Sequence, residues 1–219
     1  MWAVTSNPLP KLVRLREAGQ PRGLADRAGI LLHGRSRTKQ EMLDLTGALE
    51  IGGVRWIAPY AGGGLWYPGR YVDPLASNEP QLSRSVERCH WLVLDSSEGG
   101  RLGPEQIFIV GFSQGGCIAV EYALRHPGSV SAIVVFSGCV MGPPDTIWKV
   151  AGGQSLKGLS VFLTGSDVDE WIPESRTRET ARVLRELGAD VEMRVYPQRP
   201  HIVSPEELVE ARHFLEERM

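Results

Sequence analysis

Ser113 lies in Gly111-Phe112-Ser113-Gln114-Gly115, and the chain later supplies a carboxylate at Asp169 and an imidazole at His201. A serine hydroxyl is a weak nucleophile until a neighbouring base takes its proton, and the base needs a third group to orient it. Gly-x-Ser-x-Gly alone is a common pattern. Here the apolar run Ile107-Phe108-Ile109-Val110 precedes it and reads as a buried strand. The apolar, alanine-rich residues 117–124 follow it and read as a buried helix. Strand, sharp turn and helix lift a serine hydroxyl clear of a sheet, with Gly111 and Gly115 sparing a collision with their neighbours. The Gln114 amide then sits at a helix N-terminus, able to donate to a developing oxyanion.

Two aspartates compete for the acid, both beyond the strand predicted over residues 159–164. Asp169 is preferred because Ile172-Pro173 turns the chain soon after it, holding its carboxylate at the strand end; Asp167 reads equally as a turn residue bonded to its own backbone. Of five histidines, His90 and His213 fall within predicted helices, and His126 precedes Pro127-Gly128 as a helix stop. His33 follows a strand in His33-Gly34-Arg35, a turn that can aim the Arg35 amide at the same oxyanion. Its side chain is expected to be a buried imidazole bonded to nearby backbone. His201 remains, on a loop after the last strand, with the mobility and exposure that a general base needs.

These groups require elements to hold them. Strands are expected at residues 28–32, 54–58, 107–110, 130–136, 159–164 and 191–196, with a further short one at 12–15. Helices alternate with them: one around residues 41–45, then 82–94, the segment after Ser113, 175–187, and a last one opened by Ser204-Pro205-Glu206-Glu207. Continuously apolar strands alternating with helices predict an α/β fold, with a mostly parallel central sheet covered on both faces. In such sheets the site lies beyond the carboxyl ends of the strands, and every candidate above follows a strand. The Gly-, Pro- and aromatic-rich residues 59–80 are expected to form one wall of a pocket. Residues 137–158 are too few for a large cap domain. An open site bordered by Trp66, Met141, Ile147, Trp148 and Trp171 is therefore expected.

The chain has 219 residues, which predicts one domain over 1–219, and its formal charge is −2, which gives no sign of a nucleic-acid or membrane surface. No apolar run approaches the ~20 residues of a membrane span, and the N-terminus lacks the pattern of a signal peptide. Three cysteines without metal-type spacing, Cys89, Cys117 and Cys139, suit reduced thiols in the cytoplasm. No metal site and no nucleotide-binding Gly-x-Gly-x-x-Gly is found.

Several of these pieces together resemble the phospholipase/carboxylesterase family of α/β-hydrolases, which includes the acyl-protein thioesterases. They are Leu31-Leu32-His33-Gly34-Arg35, Trp66-Tyr67-Pro68, Asn78-Glu79-Pro80, Gly111-Phe112-Ser113-Gln114-Gly115-Gly116, Asp169-x-x-Ile172-Pro173, and His201 ahead of Glu206-Glu207. The order Ser113, Asp169, His201 is also that of the α/β-hydrolase fold. The resemblance implies a catalytic triad of those three residues, an oxyanion hole from the amides of Arg35 and Gln114, no cofactor, and hydrolysis of small carboxylic esters or thioesters. A serine carboxylesterase is the leading expectation, and a thioesterase or lysophospholipase its near rival. A hydrolase fold serving only for binding is the expectation from another class, and a homodimer is left open. Ser36, Glu170 and Arg199-Pro200 depart from the family pattern.

Overall fold

The computed structural model describes residues 15–218. Seven strands form one sheet in the order β1-β3-β2-β4-β5-β6-β7. They are β1 (Leu15–Gly19), β2 (Arg27–Leu32), β3 (Val54–Pro59), β4 (Ile107–Phe112), β5 (Ala132–Phe136), β6 (Ser160–Ser166) and β7 (Asp190–Tyr196). Only β1 is antiparallel to its neighbour; the remaining pairings are parallel. The strand expected at residues 12–15 lies outside the described residues except for Leu15, where β1 begins.

Four α-helices lie between strands, α1 (Lys39–Leu49), α2 (Gln81–Ser96), α3 (Gln114–Arg125) and α4 (Glu174–Glu186), and α5 (Pro205–Arg218) follows β7. Alternation along β4 shows how the sheet is covered. Ile107 and Ile109 pack with Leu82, Val86, Ile118 and Leu184 of α2, α3 and α4. Phe108 and Val110 face the other way, into a cluster with Met42 and Leu43 of α1 and with Leu208, Phe214 and Leu215 of α5. A strand apolar on both sides is what two covered faces demand, and each buried large side chain contributes about 1.5–3 kcal/mol.

Helix starts are set by local chemistry. Thr38 caps α1, accepting from the Glu41 amide at 3.2 Å, while the Glu41 carboxylate accepts from the Thr38 amide at 2.6 Å. Ser204 and Glu207 make the same reciprocal pair at the start of α5, at 3.2 and 2.7 Å. Within the described residues no helix is long and apolar enough to cross a membrane, and no cluster of His, Cys, Asp or Glu is arranged to hold a metal. Residues 137–158 contain one short 3-10 turn, Ala151–Gly153, among otherwise irregular backbone.

Candidate active site

The turn between β4 and α3 holds Ser113 at φ 53° and ψ −118°, a conformation that costs a non-glycine residue about 1–3 kcal/mol. Packing enforces it. The Ser113 amide donates to the Phe136 carbonyl of β5 at 2.8 Å, and the Ser113 carbonyl accepts from the Cys117 amide at 3.0 Å. A Cβ on Gly115 would lie 2.1 Å from the Leu32 carbonyl oxygen, and one on Gly111 would lie 2.5 Å from the Gly115 oxygen. Only glycine fits at either position, so α3 can lie close against β2 and β4 directly behind the serine.

Two further strand ends bring the remaining groups to this hydroxyl. His201, on the loop after β7, places Nε2 2.8 Å from Ser113 Oγ and Nδ1 2.8 Å from Asp169 Oδ2. Asp169 follows β6, and its Oδ1 accepts from the amides of Trp171 and Ile172, both at 2.9 Å. Burial pushes the Asp169 carboxyl up. The His201 hydrogen bond and those two amides outweigh burial, and the group ends below the ordinary aspartate value. An ionised carboxylate therefore faces the imidazole. Asp167 turns elsewhere: its Oδ1 accepts from the Gln198 amide at 2.7 Å, tying the loop after β6 to the one after β7. Phe112 and Trp171 flank the imidazole, with ring centroids 5.0 and 6.3 Å away.

Beyond β2, His33 is fully buried, and burial lowers its pKa despite the Gly34 carbonyl beside it. The imidazole is thus neutral, and its tautomer follows from its partners. Nε2 accepts from the Ala61 amide at 3.0 Å, so Nδ1 carries the hydrogen and donates to the Gly34 carbonyl at 2.7 Å. The side chain is a buried structural group, as its sequence context implied. It joins the His33-Gly34-Arg35 turn to the segment after β3.

Gln114 makes a second joint. Its Oε1 accepts from the Trp66 amide at 3.0 Å, and its Nε2 donates to the Tyr67 carbonyl at 2.7 Å. The Arg35 guanidinium donates to the carbonyls of Tyr67, Pro68 and Gly69. Asn78, also buried, accepts from the Gly69 amide at 2.8 Å and donates to the Arg70 carbonyl at 3.2 Å. The segment 59–80 is thereby held by polar bonds to the residues around Ser113.

A cavity of about 550 Å³ opens over the serine. Its lining includes Arg35, Tyr67, Arg70, Tyr71, Phe112, Gln114, Cys117, Trp171, Ile172 and Ile202. Residues 59–80 do form a wall, through Tyr67, Gly69, Arg70 and Tyr71. Of the five expected border residues, Trp171 alone lines the cavity.

Four expectations are corrected here. Trp66 is fully buried beneath the wall, with Nε1 donating to the His33 carbonyl at 2.7 Å. Met141 is likewise fully buried, packed in the core, and its carbonyl accepts from Trp148 Nε1 at 2.7 Å. Trp148 instead lies against the Arg176 guanidinium, 5.5 Å from ring centroid to guanidinium carbon. Ile147 points to solvent, 80% exposed. Phe112, Ile172 and Ile202 were missed, although each adjoins a singled-out residue or motif in the chain. Cys117, read from sequence as core, is buried yet reaches the cavity one helical turn beyond Ser113, with Sγ 3.8 Å from Cys139 Sγ.

The fold has its counterpart among known proteins. The family model for phospholipase/carboxylesterase matches residues 20–219. The chain belongs to the phospholipase/carboxylesterase family. A solved phospholipase/carboxylesterase of Dyadobacter fermentans superposes with a TM-score of 0.85 at 29% identity, over 93% of this chain and 96% of that one. Acyl-protein thioesterase 1 of Gibberella zeae is 28% identical over 69% of this chain and 65% of its own length. A probable inactive carboxylesterase of Oryza sativa is 27% identical over 64% of this chain and 56% of its own length. The matches thus span under two thirds of those two relatives' lengths.

The departures from the family pattern have physical readings. Ser36 has φ 57°, the left-handed conformation glycine adopts freely. Its amide donates to the Gly64 carbonyl at 2.9 Å, so the turn is held against the 59–80 segment. Glu170 lies at the cavity rim. Arg199 is buried under the His201 loop.

Proposed function

We propose that this family member is a serine esterase that hydrolyses short- to medium-chain carboxylic esters through an acyl-enzyme. His201 Nε2 takes the Ser113 proton as Oγ attacks the acyl carbonyl, and ionised Asp169 orients and stabilises the imidazolium. The amides of Arg35 and Gln114 receive the oxyanion, each such donor lowering the barrier by on the order of 3 kcal/mol. The imidazolium then protonates the departing alkoxide. Water, activated by the same base, releases the acid and restores the serine. The single observation that supports this reading most is the continuous chain of hydrogen bonds from Ser113 through His201 to Asp169, opening into a cavity of small-molecule size.

The second reading is a thioesterase or lysophospholipase for longer acyl chains. The family match and the apolar lining residues Trp171, Ile172 and Ile202 favour it. Because one matched relative is named inactive, catalysis needs its own test. A fluorophosphonate probe should label the protein on Ser113, located by peptide mass spectrometry, and labelling should vanish in Ser113→Ala. A folded protein that stays unlabelled would overturn the esterase reading in favour of a binding module.

A further inference from the structure

His201 sits on a short loop between β7 and α5, and a buried charge fastens that loop from below. Arg199 is 5% exposed and Glu207 fully buried. Arg199 Nη1 donates to the carbonyls of Pro200, at 3.1 Å, and Ile202, the two residues that flank His201. Nη2 donates to Ser137 Oγ, just beyond β5, at 2.9 Å. Nε lies 3.2 Å from Glu207 Oε2 in α5. The Glu207 carboxylate also accepts from Thr164 Oγ1 of β6 at 2.5 Å and from the Ser204 amide at 2.7 Å. The guanidinium thus joins the histidine loop to the end of β5 and to α5, and Glu207 carries the connection on to β6.

Stability gives a poor reason for this arrangement. A buried ion pair offsets much of its attraction by desolvation, and a well-packed apolar pair is often as stable or more so. What a guanidinium supplies, and an apolar pair cannot, is a rigid planar fork of directed donors. Gripping the carbonyls on both sides of His201 sets the height and tilt of an imidazole that must lie 2.8 Å from both Ser113 Oγ and Asp169 Oδ2.

We propose that Arg199 is a positioning residue for His201, with Glu207 holding the guanidinium in register; the assignment rests on the serine-esterase reading above. The residue touches no substrate and acts through the loop. Proton transfer tolerates little misplacement, and a shift of about 1 Å can cost on the order of a hundredfold in rate.

The test uses the full chain, p-nitrophenyl butyrate as substrate, and the double variant Arg199→Met/Glu207→Gln, which removes both charges while keeping volume. Its melting temperature should stay within about 5 °C of the parent, as expected when a whole buried pair is neutralised. Its kcat should fall roughly tenfold to a hundredfold with KM nearly unchanged. The downfield proton resonance of His201 Nδ1–H, held by Asp169, should broaden or disappear. A stable double variant with parental kcat and an intact resonance would overturn the proposal.

If that variant fails to fold, Arg199→Lys decides the matter. It keeps the charge but loses the fork, so a stable protein with lowered kcat supports positioning and one with parental kcat refutes it. Ser113→Ala runs alongside: activity surviving there would sink the esterase reading itself, whereas its loss beside an unaffected Arg199 variant would sink this proposal alone.

Discussion

The strand ends and the loop walls of this molecule obey different rules. Ser113, Asp169 and His201 each follow a strand of a parallel sheet, and the register of β4, β6 and β7 leaves little choice about where those strands deliver them. The aromatic residues of 59–80 and 137–158 lie on irregular backbone, where one residue of chain separates solvent from core. Ile147 is exposed and Trp148 packs on Arg176, yet they are adjacent in the chain. A parallel sheet converts sequence order into spatial order; a loop does so only through the polar bonds that hold it down.

The largest expected break in that comparison separates two aspartates two residues apart. Asp169→Asn should lower kcat/KM for a p-nitrophenyl ester by about four orders of magnitude, through loss of the imidazolium's partner and orienting acceptor. Asp167→Asn, which keeps an acceptor for the Gln198 amide, should stay within a few-fold of the parent. A pH series on the same pair adds a sign. The folded Asp169 carboxyl is held below its ordinary value, so its contribution to stability is complete above the unfolded pKa of about 3.9 and is lost as pH falls through the folded one. Urea midpoints should therefore separate parent and Asp169→Asn at pH 7 and converge in stronger acid.

Next in size is Trp66. Trp66→Ala should cost about 3–5 kcal/mol in urea unfolding, because it empties a core site and strips the His33 carbonyl of its donor. A replacement that weakened substrate binding without touching stability would return Trp66 to the cavity wall. Trp171→Ala, on a residue that does line the cavity and is 63% exposed, should do the reverse and raise KM several-fold at nearly constant stability. Ile147→Ser should change neither quantity, any stability shift staying within about 0.5 kcal/mol.

How far each feature was legible follows from the same physics. Gly111 and Gly115 announce a close approach of α3 to β2 and β4 that the packing bears out, since either Cβ would strike backbone. The acid could be narrowed to Asp169 because Ile172-Pro173 closes a turn over its carboxylate. Trp66 could not be placed. Nothing in Trp66-Tyr67-Pro68 says that the first ring turns inward to His33 while the second lines the cavity; that is decided by Gln114 and Arg35, far along the chain from that segment. The Arg199–Glu207 pair was hidden for a similar reason. An arginine before a loop histidine reads as a surface charge until α5 is packed beneath it.

A small effect is also expected at Ser36. Ser36→Gly relieves a left-handed serine in the turn after β2 and should leave stability within about 1 kcal/mol of the parent, the strain relieved being offset by the entropy glycine adds to the unfolded chain. A large loss of activity there would mean that the serine hydroxyl takes part in shaping the oxyanion turn.

The central claim is that Ser113, aligned by His201 and Asp169, attacks ester carbonyls. Its most direct test is the hydrolysis of p-nitrophenyl esters from acetate to palmitate by the parent and by Ser113→Ala. The account predicts activity highest at short or medium acyl chains and reduced by about a millionfold in the variant at every length. Ester hydrolysis that survives Ser113→Ala near the parental rate would contradict it.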